Sequence, residues 1–230
     1  MILIDGDMLV YRVGFACEKE TKKVATKTLD NYLSEMVTDL SVHYMSSIVY
    51  LTGKGNFRDE IAITLPYKGN RPSKNQPTHK KLLRDFMVDE WNAQIVNGME
   101  ADDAIAIKAT ELDNKAIICS LDKDFKQLSC PMYDFSKKII HENNKDDAIK
   151  WLYKQALMGD RVDNIPGIYG IGVKKAEKII NPCVNEWECY STCLTHYWDN
   201  DLDEDRLLES LNLLYLLRSQ DDKYEKPSAF

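Results

Sequence analysis

Three short apolar runs, each stopped by an acidic residue or a glycine, limit what this chain can become more than any other feature. They are "MILIDGD" at 1–7, "SSIVYLTG" at 46–53 and "KAIICSLDKD" at 115–124. A continuous apolar run of this length, rich in β-branched residues, reads as a strand buried on both faces, the habit of parallel sheets. Helical spacing fills the intervals. Leu29, Tyr32, Leu33, Met36, Val37 and Leu40 recur at that spacing within Thr28–Tyr44, and "HKKLLRDFMVDEW" is a second amphipathic helix. "AQIVNG" reads as a short strand with the helix "EADDAIAIKATEL" behind it, and "MYDF" with "KKIIHE" as a further strand or hairpin near 132–142. Strands alternating with helices up to about residue 145 define an α/β chain with a mainly parallel sheet. Beyond it the pattern turns helical in "KDDAIKWLYKQALMG", "GVKKAEKII" and "EDRLLESLNLLYLLRS". The chain therefore divides into an α/β core at 1–145, with a basic arch or loop at about 67–92, and a helical region at 146–230.

Composition narrows the function. With 44% hydrophobic and 10% aromatic residues among 230, the chain can bury a sizeable core, which excludes a disordered protein. No apolar run approaches the ~18 residues of a membrane span. The N-terminus turns acidic after four residues and has no basic segment, which argues against a signal peptide. We expect a soluble, cytoplasmic monomer, in the host cytoplasm if phage-encoded. Six cysteines include no CxxC pair, so ordinary reduced thiols are expected; Cys189, Cys193 and His196 make a weak zinc set. The net charge of −7 weighs against a polyanionic partner, yet basic residues bunch between Lys68 and Arg84, and a patch outweighs a total in steering.

Carboxylates gather at the ends of the expected elements. Asp5, then Glu100, Asp102 and Asp103, then Asp122 and Asp124 follow strands, and "MGDRVDN" adds Asp160 and Asp163 after a helix. Ligands of parallel sheets bind beyond the carboxyl ends of the strands. Each pair alone is explained by a helix cap or a solvated turn. Repetition at matching ends points instead to a hard-cation site, Mg²⁺ or Mn²⁺, because the donors are all oxygen. Two such ions about 3.5–4 Å apart would neutralise the carboxylates and clamp a phosphoryl centre.

Two further motifs suit a polyanion. In "GIYGIGVKKAEKII", Gly167, Gly170 and Gly172 permit a tight hairpin whose N–H groups can face a phosphate, with Lys174 and Lys175 on the helix behind. Such a hairpin grips a duplex backbone without reading bases. In and after "LPYKGNR", Lys68, Arg71, Lys74, Lys80, Lys81 and Arg84 form a basic stripe suited to DNA phosphate.

The segments "LIDGDMLVYR", "YKGNR", "MEADD", "SLDKDF" and "MGDRVDNIPGIYGIGVKKAEKII", in that order over roughly residues 1–182, closely resemble the flap endonuclease and 5′-3′ exonuclease family, particularly its short bacteriophage members. The resemblance implies a PIN-like nuclease core and a helix-three-turn-helix element at about 151–182. It places Asp5, Glu100, Asp102, Asp103, Asp122, Asp124, Asp160 and Asp163 at metal positions and Lys68, with Arg71 beside it, at the scissile phosphate. Asp103 and Asp122 carry catalysis with them. It also implies duplex DNA, and often K⁺ on backbone carbonyls, at the hairpin of Gly167, Gly170 and Gly172. The activity implied is divalent-metal-dependent hydrolysis of DNA at a 5′ end or flap by a two-metal mechanism, with RNA of an RNA–DNA hybrid a further substrate.

Two departures stand out. Family members commonly carry an acidic residue just after the second strand, where this chain has Gly53; either the site works with one carboxylate fewer, or Asp59 or another residue substitutes. The short interval from Lys68 to Glu100 suggests a short arch, favouring exonuclease action on a duplex end over threading. Three other readings compete. A haloacid-dehalogenase-type phosphatase would use "LIDGDML" as its nucleophile loop, but its late acidic pair should follow an apolar strand, not "WLYKQALM". A small PIN-type ribonuclease would lack the hairpin. A catalytically impaired relative would bind duplex ends without cutting.

Overall fold

The computed structural model describes residues 1–71 and 76–229. Lys74, and with it part of the polar loop that joins "YKGNR" to the next helix, lies outside the described residues. The chain divides into two compact units: Met1–Asn56, Pro72–Phe125 and Cys130–Glu142, and Phe57–Arg71, Lys126–Ser129 and Asn143–Phe230. The segment 57–71 thus belongs with the helical residues.

In the first unit, β1 (Ile2–Asp5), β2 (Ser47–Thr52), β3 (Gln94–Val96), β4 (Ile117–Cys119), β5 (Met132–Asp134) and β6 (Ile139–His141) form one sheet of order β3-β2-β1-β4-β5-β6. All neighbours are parallel except β5 and β6, which close the edge as the expected hairpin. Ile4 pairs with Val49 on one side and Cys119 on the other, so β1 is central, and all four of its residues are buried. Because β3, β2, β1 and β4 run parallel, their carboxyl ends share one edge of the sheet.

Helices α1 (Gly6–Ala16), α2 (Lys22–Leu40) and α4 (Lys80–Trp91) bury Leu9, Val13, Leu29, Leu33, Leu83 and Met87 against Ile2 and Ile4. Each such side chain contributes roughly 1.5–3 kcal/mol by leaving water. Helix α5 (Ala101–Glu111) packs on β1 and β2. Helix α1 is not foreseen from the residues, since Asp-Gly reads as a turn. Here Asp5 ends β1 and caps the helix at once, and Gly6 is needed because a Cβ would meet the Tyr50 carbonyl oxygen at 2.6 Å. Helix α2 starts at Lys22, earlier than its apolar spacing indicates, because the Thr21 hydroxyl accepts from Val24 N.

In the second unit, α6 (Lys145–Met158), α7 (Val173–Ile180), α8 (Glu186–Trp198) and α9 (Glu204–Leu214) enclose Tyr153, Leu157, Ile180, Cys193, Tyr197 and Leu211. The buried Tyr197 hydroxyl donates to the Ala156 carbonyl at 2.8 Å, as a buried phenol requires. Helix α9 stops at Leu214, short of the Ser219 its pattern allows. Buried Arg58, on the single-turn helix α3 (Arg58–Ile61), donates to the Leu213 and Tyr215 carbonyls at 2.8 and 2.7 Å and so satisfies the helix end. Tyr67 lies in the same core, which explains why 57–71 folds with this unit. All six cysteines are free and buried. No described helix is long and apolar enough to cross a membrane.

Candidate functional site

The first unit collects six of the expected carboxylates at the carboxyl edge of its sheet: Asp5 ends β1, Glu100, Asp102 and Asp103 start α5, and Asp122 and Asp124 follow β4. Asp5 Oδ1 accepts from Met8 N at 3.0 Å, and Oδ2 from the Ser120 hydroxyl at 2.8 Å. Ser120 also accepts from Asp122 N at 3.0 Å, and Asp122 Oδ1 accepts from Asp124 N at 2.9 Å. One buried serine therefore ties the loop after β4 to the end of its neighbour β1. Glu100 caps α5 in a reciprocal capping box with fully buried Asp103, whose Oδ2 accepts from Glu100 N at 3.2 Å. Asp102 Oδ1 accepts from Asp103 N at 2.8 Å. Local capping is thus a real use of these groups, and the positive end of α5 offsets part of their repulsion. It leaves room for a second use, since a carboxylate offers about four acceptor sites.

Sequence reasoning missed Asp7. Its Oδ2 accepts from Thr52 N at 2.8 Å, which sets it at the end of β2, and its Oδ1 takes Arg84 at 2.6 Å. Its one signal was its place two residues after Asp5 in "DGD". Gly53, next along, has no room: a Cβ would lie 2.3 Å from Asn97 Oδ1 and 2.5 Å from the Val96 carbonyl oxygen. Asp59 and Glu60 lie exposed on α3. The expected basic stripe separates along α4. Arg84 faces Asp7, Lys80 donates to the Tyr11 hydroxyl at 3.1 Å, and Lys81 is exposed beside Asp85.

The second unit makes its own cluster. The loop "PYKGNR" folds onto the turn "DRVDN": Asn70 donates to the Arg161 carbonyl and Asn164 to the Pro66 carbonyl, at 2.7 and 2.9 Å. Around Asp163 stand the Tyr67 hydroxyl at 2.9 Å, Arg71 at 2.6 Å and Lys68 Nζ at 3.8 Å, so Lys68, Arg71 and Asp163 are brought together. Lys68 holds a left-handed φ of +53° and also lies over the Tyr67 ring, 4.9 Å from its centroid. Asp160 caps the turn, accepting from Val162 N at 2.7 Å. It follows α6 through the two-residue strand β7 (Gly159–Asp160), paired with β8 (Ile165–Pro166), and so lacks the long apolar strand a phosphatase site would need.

The glycine hairpin does not use its glycines alike. At Gly167 a Cβ would meet Met158 C at 2.1 Å and Gly159 N at 2.3 Å, so this half-buried glycine packs directly against the backbone at Met158 and Gly159. Gly170, with φ +76°, and Gly172, which begins α7 without a side-chain cap, have no such crowding. Both are exposed, as are Lys174 and Lys175.

Known proteins resemble this chain in sequence and in fold. A family model described as 5′-3′ exonuclease, N-terminal resolvase-like domain, matches residues 1–155. The chain belongs to the 5′-3′ exonuclease family. Among similar relatives of this exonuclease-family chain, the flap endonuclease Xni of Shewanella sp. (strain W3-18-1) is 30% identical over 193 residues, covering 78% of this chain and 73% of the relative. DNA polymerase I of Bacillus caldotenax is 29% identical over 207 residues, or 78% of this chain; the match spans only 23% of the polymerase. A crystal structure of bacteriophage T5 D15 flap endonuclease, a pseudo-enzyme–product complex with DNA and metal ions, superposes with a TM-score of 0.70 at 21% identity, over 94% of this chain and 88% of that one. That likeness is one of fold, and the fold is PIN-like.

The residues of this exonuclease-family chain suit divalent ions by donor chemistry, though among the described residues no three Asp, Glu, His or Cys side chains already form a ligand group. The telling residue is Asp5. Burial, with the Asp7 and Asp122 charges adding to it, pushes its carboxyl up to about 7, against the lowering effect of Met8 N and Ser120. A carboxylate so placed gains from a cation beside it. The pH consequence has a definite sign. The folded state keeps this proton up to about pH 7, while the unfolded chain releases it near the ordinary 3.8. Asp5 therefore favours folding fully below the unfolded value, and that contribution is lost as pH rises through 7, at no more than about 1.4 kcal/mol per unit. In EDTA, the melting temperature of wild type should fall relative to Asp5→Asn between pH 4 and 7, and saturating Mg²⁺ should close the gap at pH 8. Parallel melting curves in EDTA would show that Asp5 does not titrate there.

Proposed function

We propose that this chain hydrolyses phosphodiester bonds of DNA at a 5′ end or 5′ flap, as a monomer, with divalent ions held by its acidic edge. The observation that carries the reading is the Asp5–Ser120–Asp122 link beside the capped acidic start of α5, which crowds carboxylates at the carboxyl ends of adjacent parallel strands. Asp5, Glu100, Asp102, Asp103, Asp122 and Asp124 of the first unit are assigned to two Mg²⁺ or Mn²⁺ ions, and Asp160 and Asp163 of the second unit are assigned as metal ligands there. Bound divalent ions supply charge stabilisation for in-line displacement at phosphorus. The names of the relatives support the substrate class, and RNA of an RNA–DNA hybrid presents the same phosphate.

The chain's own groups do the rest. Lys68 and Arg71 share Asp163 in the free protein, and a backbone phosphate competes with that carboxylate for both cations. Lys68→Ala should therefore slow the chemical step more than it weakens binding. Lys174, Lys175 and the exposed N–H groups at Gly170 and Gly172 face the duplex backbone, and K⁺ on the hairpin carbonyls belongs to the same reading. Replacing both Lys174 and Lys175 by Ala should weaken duplex binding and flatten its log–log salt slope by about 2 units, roughly one per lost phosphate contact. An unchanged slope would remove the hairpin from the interface.

The direct assay is release of nucleotides from 5′-labelled duplex and flap substrates in Mg²⁺. Cleavage that EDTA abolishes is expected. Tight binding of duplex ends without cleavage would identify the impaired relative instead.

A further inference from the structure

The acidic edge of the first unit already holds one cation, a guanidinium. Arg84 projects from α4 and divides its fork between the Asp7 carboxylate, at 2.6 Å, and the Thr52 carbonyl, at 2.5 Å. Asp7 in turn accepts from Thr52 N at 2.8 Å, so carboxylate and guanidinium close on the last residue of β2 from both of its backbone groups. The Thr52 hydroxyl accepts from Ala101 N at 2.9 Å, directly between Glu100 and Asp102. One threonine thus joins the Arg84–Asp7 pair to the acidic start of α5. Both side chains are mostly covered, 21% and 26% exposed, which limits the solvent screening that makes open ion pairs nearly worthless. Gly53 cannot carry a carboxylate here without moving β3, so Asp7, from α1, is the acid that stands at this end of β2.

We propose that Arg84 is a resident counter-cation of the acidic edge, held by Asp7 and Thr52, and that it balances charge a divalent ion would otherwise have to balance. The inference rests on the metal reading above and adds a residue to it. A guanidinium suits the role because it stays charged at every working pH and its planar fork fits a carboxylate and a carbonyl together.

Electron paramagnetic resonance titration with Mn²⁺ tests it without any turnover. Arg84→Gln leaves the edge one positive charge short and should tighten Mn²⁺ about tenfold, what one charge ~10 Å from a divalent ion supplies at an effective dielectric near 20 with the screening of ~0.1 M salt. Asp7→Asn leaves one positive charge in excess and should weaken Mn²⁺ by about the same factor. The double variant restores neutrality and should return to within about twofold of wild type, as should Arg84→Lys. Circular dichroism checks that each variant folds; if Arg84→Gln does not, Asp7→Asn and Arg84→Lys still carry the comparison. Equal affinity in wild type and folded Arg84→Gln would overturn the proposal alone. So would a double variant as tight as Arg84→Gln, because Asp7 would then not be the group that Arg84 neutralises. No Mn²⁺ binding by any form would bring down the metal reading, and this inference with it.

Discussion

Asp122→Asn should lower cleavage of a 5′-labelled duplex by about 10³-fold, the scale of losing several kcal/mol of transition-state charge stabilisation, while duplex affinity stays within about threefold. The substitution is nearly isosteric. An amide oxygen can still accept from Asp124 N, as Asp122 Oδ1 does at 2.9 Å, and the backbone N–H of residue 122 still reaches Ser120. The loop after β4 should keep its shape and lose only its charge. Asp103→Asn should behave alike, because its bond from Glu100 N needs an oxygen and not a charge. Backbone grip, on the proposed reading a matter of Lys174 and Lys175, should scarcely notice either change. Cleavage at the wild-type rate in either variant would remove that residue from the reaction; loss of binding in step with cleavage would show that the variants damage the fold.

The second large effect is on stability. Restoring an acidic residue after β2 as Gly53→Asp should destabilise the protein by about 3 kcal/mol, which for a chain of this size lowers the melting temperature by roughly 6–12 °C. Its Cβ would sit 2.5 Å from the Val96 carbonyl oxygen and 2.9 Å from Ile95 Cγ2, and neither strand end can withdraw without breaking the β2–β3 pairing at Thr52 and Val96. A variant that melts like wild type and binds Mn²⁺ more tightly would mean that β3 yields easily and that Gly53 is an accident of sequence.

How much of this was legible depended on whether the deciding force was local. Strands β1 and β4 could be read because burial on both faces demands an unbroken apolar run, and Ile2–Ile4 and Ile117–Cys119 supply it. The carboxylate loops were legible for the same reason, since acids that stop such runs stand out. Helix α1 was hidden because Asp5 serves strand end and helix cap at once, and a glycine that looks like a turn residue is required by the Tyr50 carbonyl. The end of α9 was set by Arg58, more than 150 residues away in sequence, which no periodicity can report. Basic residues looked alike in a row, yet helical geometry sends Lys80 and Arg84 to Tyr11 and Asp7 and leaves Lys81 in water. Gly167, Gly170 and Gly172 likewise looked equivalent, and only the crossing of β7 and β8 separates the first from the other two.

The proposed site places divalent ions on the carboxylates beyond β1, β3 and β4. Anomalous diffraction from crystals grown in manganese addresses it with least inference. We expect manganese peaks within ligand distance of Asp5 and Asp122 and of the Glu100–Asp103 turn. Crystals saturated with manganese that show no peak at those side chains would contradict the account.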